Sequence, residues 1–204
     1  MRRELRRLFR LPSLRNEEDV PMAERKQEHT THLLGAEVVG KTHPRIELRG
    51  RLDELNARII LTQARARAAG ERQLEADLEE VRIKAVREAM MAEVTDAPCG
   101  ELALWGLTEE DIHQRSHTPA RFYGKGHLDL HADMGLWAAE INLLRTLVRE
   151  TELVACRAFD DGAGGVTRPD IVKMLNRLSS ALYILIYNYL PEGFSHFYDR
   201  IGQR

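Results

Sequence analysis

Residues 168–185, R-P-D-I-V-K-M-L-N-R-L-S-S-A-L-Y-I-L, carry the period on which the fold turns. Ile171, Leu175, Leu178, Leu182 and Leu185 recur every three or four positions, the spacing that lines one side of an α-helix. Upstream, Trp137, Ile141, Leu144 and Val148 set out a helix from about Ala132 to Phe159. The run D-D-G-A-G-G at 160–165 separates the two as a flexible hinge. Leu52, Leu55 and Ile59 mark a first long helix that runs out near Ala68-Ala69-Gly70. A second, Glu71 to about Val94, carries Leu74, Leu78, Val81, Ala85 and Met90 among charged residues. Thr108 ahead of Glu109-Glu110-Asp111 is a good N-cap with acidic residues in the first turn, so a short helix starts there. Pro119 to His131, with Gly124 and Gly126, reads as loop. Nothing alternates with period two and no internal repeat is present, which makes the fold class all-α, a helical bundle.

A chain of 204 residues can bury a sizeable core, and one domain is expected. Charged residues are 30% and aromatics 6%, a balance suited to a soluble helical protein. A net charge of -2 offers no basic field for nucleic acid. Cys99 and Cys156 are far apart and form no C-x-x-C, which favours a reduced, cytoplasmic setting over a zinc knuckle or disulfide framework. No apolar run approaches the ~18–20 residues that span a bilayer. The start, M-R-R-E-L-R-R-L-F-R, has the charge of a signal peptide without its apolar stretch, so a cytosolic location is expected. Residues 1–29 read as a mobile arm containing a short amphipathic helix (Leu5, Leu8, Phe9), with docking to a partner or shell as the alternative. The bundle is expected over 30–190 and a C-terminal tail over 191–204.

Polar residues cluster in three places. Over 30–56, Thr30, Thr31 and Gly35 supply hydroxyls and a flexible backbone, Lys41 and Arg45 supply two cations, and Asp53, Glu54 and Asn56 follow. Hydroxyls, backbone N–H groups and spaced cations are what a polyphosphate needs. Arg145, Arg149 and Glu152 stand at i, i+4 and i+7, sharing one stripe beside the apolar line of their helix. Asn176-Arg177 and Ser179-Ser180 interrupt the apolar pattern of the last helix. Each pattern alone is equally an ordinary solvated helix face.

Together the motifs K-T-H-P-R-I-E-L-R-G-R-L-D-E-L-N (41–56), L-L-R-T-L-V-R-E-T-E (143–152) and L-N-R-L-S-S (175–180) resemble the ATP:cob(I)alamin adenosyltransferases of the propanediol-utilisation type. T-H-L-L-G-A-E-V-V (31–39) and G-L-T-E-E-D-I-H-Q-R-S-H-T-P-A-R-F-Y (106–123) are closer still to the ethanolamine-utilisation branch. The resemblance runs over roughly residues 30 to 190. It implies a five-helix up-down bundle and a homo-oligomer, a trimer favoured over a dimer, with active sites between subunits. It implies transfer of the 5′-deoxyadenosyl group of ATP to cob(I)alamin with release of triphosphate and with Mg2+ as cofactor. Its product would supply a B12-dependent lyase such as ethanolamine ammonia-lyase, in the cytoplasm or a bacterial microcompartment.

Carried over by position, Thr30, Thr31, Lys41 and Arg45 become triphosphate contacts. Asp53 and Arg145 become partners in an intersubunit salt bridge. Arg149 falls on the phosphates, and Glu152 and Asn176 on the nucleotide or its magnesium. Phe122, Tyr123 and His117 are the corrinoid candidates. Reduced cobalt is itself the nucleophile in such a reaction, so the protein's tasks are positioning and dispersal of charge on the leaving triphosphate. Two departures stand out. A-E-R-K-Q-E-H (23–29) replaces the Gly/Asp-rich phosphate strand of the propanediol type, which admits a non-catalytic corrinoid or nucleotide binder as the alternative function. No cysteine precedes Cys99, so the cysteine-linked metal of some ethanolamine-branch members is expected to be absent. His113/His117 and His127/His131 have i,i+4 spacing but no evident third ligand, and no metal site is expected from them.

Overall fold

A computed structural model describes residues 27–198. The amphipathic helix expected over residues 1–10, and most of the N-terminal arm, lie outside them. The chain runs β1 (Thr30–His32), β2 (Val38–Gly40), α1 (Pro44–Ala69), α2 (Arg72–Val81), a π-helical turn (Arg82–Val86) and α3 (Arg87–Thr95). It continues through α4 (Glu109–His117), α5 (Pro119–Tyr123), β3 (His127–Leu128), a 3-10 turn (Ala132–Met134), α6 (Gly135–Ala158), α7 (Pro169–Asn188) and β4 (Phe197–Tyr198). α2, the π turn and α3 form one rod, the helix expected over 71–94. With α1, α4, α6 and α7 it makes the five-helix bundle.

Local chemistry accounts for where the rods begin and end. The His43 imidazole accepts a hydrogen bond from the Arg45 amide, and Pro44 fills the first turn of α1, where its missing N–H leaves nothing unpaired. Gly70, at φ 84, ends α1 in the left-handed conformation that glycine adopts without a Cβ clash. Thr108 and Asp111 cap α4 reciprocally: the Thr108 hydroxyl accepts from the Asp111 amide, and the Asp111 carboxylate accepts from the Thr108 amide. Arg168 joins two helix ends. It donates to the carbonyls of Ala92 and Ala97 and to Asp96 at the end of α3, and pairs with Asp170 in the first turn of α7.

Contacts at both ends fix the helix directions. Arg157 reaches Glu47 at 3.9 Å, while Thr62 meets Glu140 at 3.2 Å, so α1 and α6 run antiparallel. α6 and α7 share the most extensive packing. The apolar stripes read from the sequence are the core: Leu52, Leu55 and Ile59; Leu74, Leu78 and Val81; Ile141, Leu144 and Val148; Ile171, Leu175, Leu178, Leu182 and Leu185 are all buried. Each such side chain contributes about 1.5–3 kcal/mol relative to exposure.

Three expectations need correction. The 119–131 stretch is not simply a loop, because it contains α5 and β3. Strand pairing does occur: Thr30↔Gly40 and His32↔Val38 bound one small hairpin, and β3 pairs antiparallel with β4. Residues 191–198, read as the start of a tail, fold back with Phe194 buried against the core.

Candidate functional site

α4, α6 and α7, with β3 and β4 at one edge, line an open cavity of ≈ 480 Å³. Arg145 and Arg149 project into it from α6, and Asn176 and Arg177 from α7. Arg145 and Arg149 share one face of α6 at i, i+4, and Arg177 meets them from α7, so three guanidinium groups line one cavity. Ser116, Ser179 and Ser180 add hydroxyls, His113, His117 and His127 add imidazoles, and no Asp or Glu is among the described residues that line it. Burial first, then the adjacent Arg149 charge, lower the Arg145 guanidinium from its ordinary pKa. Its Nε donates to Asn142 at 2.9 Å. Cations held together without a lining carboxylate form an anion receptor.

A polar chain positions Asn176 and Arg177. Asn176 Nδ2 donates to Glu152 at 2.9 Å, Arg177 donates to Asn176 Oδ1 at 3.0 Å, and Glu109 accepts from both Arg177 and Lys173. Glu152 therefore stands at the rim, oriented by Asn176. Two turns further along α7 the Tyr183 hydroxyl lies 3.2 Å from His127 Nδ1 and accepts from the Leu128 amide at 3.1 Å. It also lies 3.2 Å from the Tyr187 hydroxyl, which donates to the Gly126 carbonyl at 2.8 Å. Burial, before the neighbouring Tyr183 hydroxyl, raises the Tyr187 phenol above its usual range. The aromatic–histidine set fixes the β3 edge of the cavity.

The structure thus brings Arg145, Arg149, Asn176 and His117 to one cavity, with Glu152 one hydrogen bond away. It leaves the remaining candidates elsewhere in the chain. Thr30 and Thr31 lie on β1 and Lys41 follows β2, its amide bonded to the His29 carbonyl. Asp53 is exposed on α1. Arg45 is turned to a buried carboxylate. Its Nε donates to Glu93 at 2.8 Å, its NH2 donates to the Glu93 carbonyl at 2.8 Å, and it lies over the Phe159 ring. Phe122 is 37% exposed between Arg115 and Arg121, and Tyr123 stacks on Tyr187 and lines a different cavity with Asp77 and Tyr189. Both rings stand on α5, and neither lines the α6–α7 cavity.

Sequence reasoning missed the Arg49–Glu93 pair. Glu93 is fully buried, and Arg49 grips its carboxylate while donating to the Leu33 carbonyl at 2.7 Å and to the His32 carbonyl at 3.4 Å. Arg49 therefore clamps the β1–β2 hairpin to the bundle. Tyr183 was also missed, although Asn176, Ser180 and Tyr183 stand at i, i+4 and i+7, a spacing that marks one stripe.

Comparisons with known proteins agree with this architecture. The chain is 38% identical to the corrinoid adenosyltransferase EutT of Escherichia coli K12 over 162 residues, covering 79% of this chain and 59% of the relative. Identity to the Salmonella typhimurium EutT is 35% over the same shares. The chain thus spans 59% of the length of the curated relatives it matches. In fold it is similar to a variant PduO-type ATP:corrinoid adenosyltransferase from Lactobacillus reuteri, solved with cobalamin and ATP. That match has a TM-score of 0.64 at 16% identity and covers 84% of this chain and 94% of the other. A second variant of the same enzyme gives a TM-score of 0.59. With residues 22–189 matching the family model for cobalamin adenosyltransferase, the chain belongs to that family.

Proposed function

We propose that the protein transfers the 5′-deoxyadenosyl group of ATP to cob(I)alamin. The observation that carries this reading is the α6–α7 cavity, where Arg145, Arg149, Arg177 and Asn176 converge with no lining carboxylate. The cobalt lone pair attacks C5′, the C5′–O bond breaks, and the electron pair leaves with triphosphate. Charge therefore accumulates on the leaving polyanion, and fixed guanidinium groups in a half-buried seam stabilise it without reorganising. Arg149, exposed at the cavity, is the phosphate contact; Arg145, more buried, holds the adjacent charge. The Glu152 carboxylate is a hard oxygen donor of the kind Mg2+ prefers, and Asn176 orients it toward the nucleotide. Magnesium bound there would share neutralisation of the triphosphate. His117, beside His113 and His127, faces the corrinoid.

Thr30, Thr31 and Lys41 do not line this cavity, and in this reading they act across a subunit contact. The hairpin of one copy covers the cavity of the next, and Asp53 approaches Arg145 of the adjoining chain. The assembly is a homo-oligomer, a trimer in preference to a dimer. The name of the EutT relatives supports ethanolamine utilisation as the setting; a B12-dependent lyase downstream, in cytoplasm or microcompartment, completes this reading. Among the described residues no helix is long and apolar enough to cross a membrane.

Anaerobic incubation with ATP and chemically reduced cobalamin, followed by the spectrum of the Co–C bond, tests the reading. Arg149→Ala is expected to lower turnover by about 10²–10³-fold with helical content unchanged. Wild-type protein that binds both ligands and forms no Co–C bond would make it a binder instead.

A further inference from the structure

After α7 the chain turns at Gly193, buries Phe194 and pairs β4 with β3, which carries His196 to the 3-10 turn before α6. There Asp133 Oδ2 lies 3.2 Å from His131 Nδ1 and 3.3 Å from His196 Nε2. Ligand atoms of all three residues lie within 4.8 Å of one another, and the two imidazoles stack with centroids 4.2 Å apart. In a tetrahedral shell with bonds of about 2.0–2.1 Å, neighbouring ligand atoms are roughly 3.3 Å apart. The two His–Asp separations match that edge length, and His131 Nδ1, which accepts from the Asp133 amide at 3.3 Å, would exchange that hydrogen bond for the metal. Glu192 shares with Asp133 and His196 the lining of a ≈ 180 Å³ hollow, so a further oxygen donor stands beside the cluster.

We propose that His131, Asp133 and His196 bind one divalent transition-metal ion of the zinc class, with Glu192 or water completing the shell. Two imidazoles and one carboxylate select zinc and its neighbours over magnesium or calcium, which favour all-oxygen sets. His131 comes from one of the spaced pairs in the sequence, but its partners are the distant His196 and the local Asp133 rather than His127. The ion would act as a clip. It would tie the returning C-terminal segment to the start of α6, across a ladder whose strands carry His127 and Tyr198, both on the wall of the α6–α7 cavity. Metal bound only by the folded chain stabilises it in proportion to the logarithm of its concentration. Nothing in this site depends on adenosyl transfer.

The experiment uses the full chain, stripped with a chelator and dialysed, then titrated with Zn2+ alone by calorimetry, with metal content measured by mass spectrometry. One ion per chain is expected, together with an unfolding midpoint that rises with zinc. His196→Ala and Asp133→Asn should each weaken zinc binding about ten-fold or more, in line with the loss of a ligand. His29→Ala, exposed near the hairpin, should not. Circular dichroism confirms that each variant is folded. Unchanged stoichiometry and affinity in the His131→Ala/His196→Ala double variant would overturn the site. So would the absence of binding by wild-type protein at about 10 μM zinc, leaving His–Asp hydrogen bonding as the cluster's whole content.

Discussion

Glu93→Ala removes one acceptor from two guanidinium groups at once. In the folded chain the fully buried carboxylate accepts from Arg45 Nε at 2.8 Å, from Arg49 Nε, and from Arg49 NH2 at 3.3 Å. Charge-assisted bonds contribute about 1.5–3 kcal/mol each, while the desolvation of the ion works against them. Removing one side of a buried pair costs about 3–5 kcal/mol, because the other side is left uncompensated. Arg45 and Arg49 keep some solvent contact, with side chains 14% and 23% exposed, so about 3 kcal/mol is the working figure. In a chain of this size about 1 kcal/mol moves the unfolding midpoint by roughly 2–4 °C, which gives a fall of about 6–12 °C. Thermal unfolding by circular dichroism at fixed protein concentration reads it. Hydrogen exchange at Leu33, whose carbonyl Arg49 holds, should accelerate as the hairpin loosens. In the Glu93→Ala background, Arg49→Ala should cost at least about 1 kcal/mol less than in the wild type. A midpoint shift below about 2 °C with additive single effects would refute the clamp.

Two further outcomes follow from bonds described above. The Arg168 guanidinium, with the Cys99 amide, holds the Asp170 carboxyl at about 2, against an ordinary value of 3.8. Because the folded-state value is depressed, the stabilisation is complete above about pH 4 and is lost as pH falls toward 2. It is worth about 1–2 kcal/mol at neutral pH after allowance for partial exposure. Acid titration of Asp170→Asn should therefore show a flatter loss of stability over that window, and a profile parallel to wild type would exclude the pair. Tyr183→Phe leaves the Leu128 amide without the hydroxyl that accepts from it and removes the oxygen 3.2 Å from His127 Nδ1, costing about 1–3 kcal/mol. Denaturant unfolding measures that cost, and equality with wild type would show that the hydroxyl positions nothing.

The apolar stripes were legible because each helix buries one side and the period survives among charged residues. Leu175, Leu178 and Leu182 are buried as their spacing required. Arg145, Arg149 and Asn176 stood out because they border or interrupt an apolar stripe, and the structure places all three on one cavity. What escaped was long-range. Glu93 sits in a charged helix and reads as surface, because its partners lie 44 and 48 residues away. The β3–β4 ladder is two residues long on each side, too short for alternation to register. Phe122 and Tyr123 were placed by motif, and the short helix α5 then decided which way they turned. Lys41 and Arg45 looked equivalent as spaced cations, yet capping by His43 starts α1 between them and commits Arg45 to Glu93.

The π turn at Arg82–Val86 has a consequence for that buried carboxylate. A π turn stores one residue more than the α-helical count. Were those same residues to wind as regular α-helix, everything beyond them would swing by about 100° around the rod. Glu93 would then leave the gap between Arg45 and Arg49. Excising a single residue from the 82–86 stretch would do the opposite. It would make the rod regular α-helix while leaving the downstream side chains aimed as they are, so this helix should tolerate a deletion better than a change of winding.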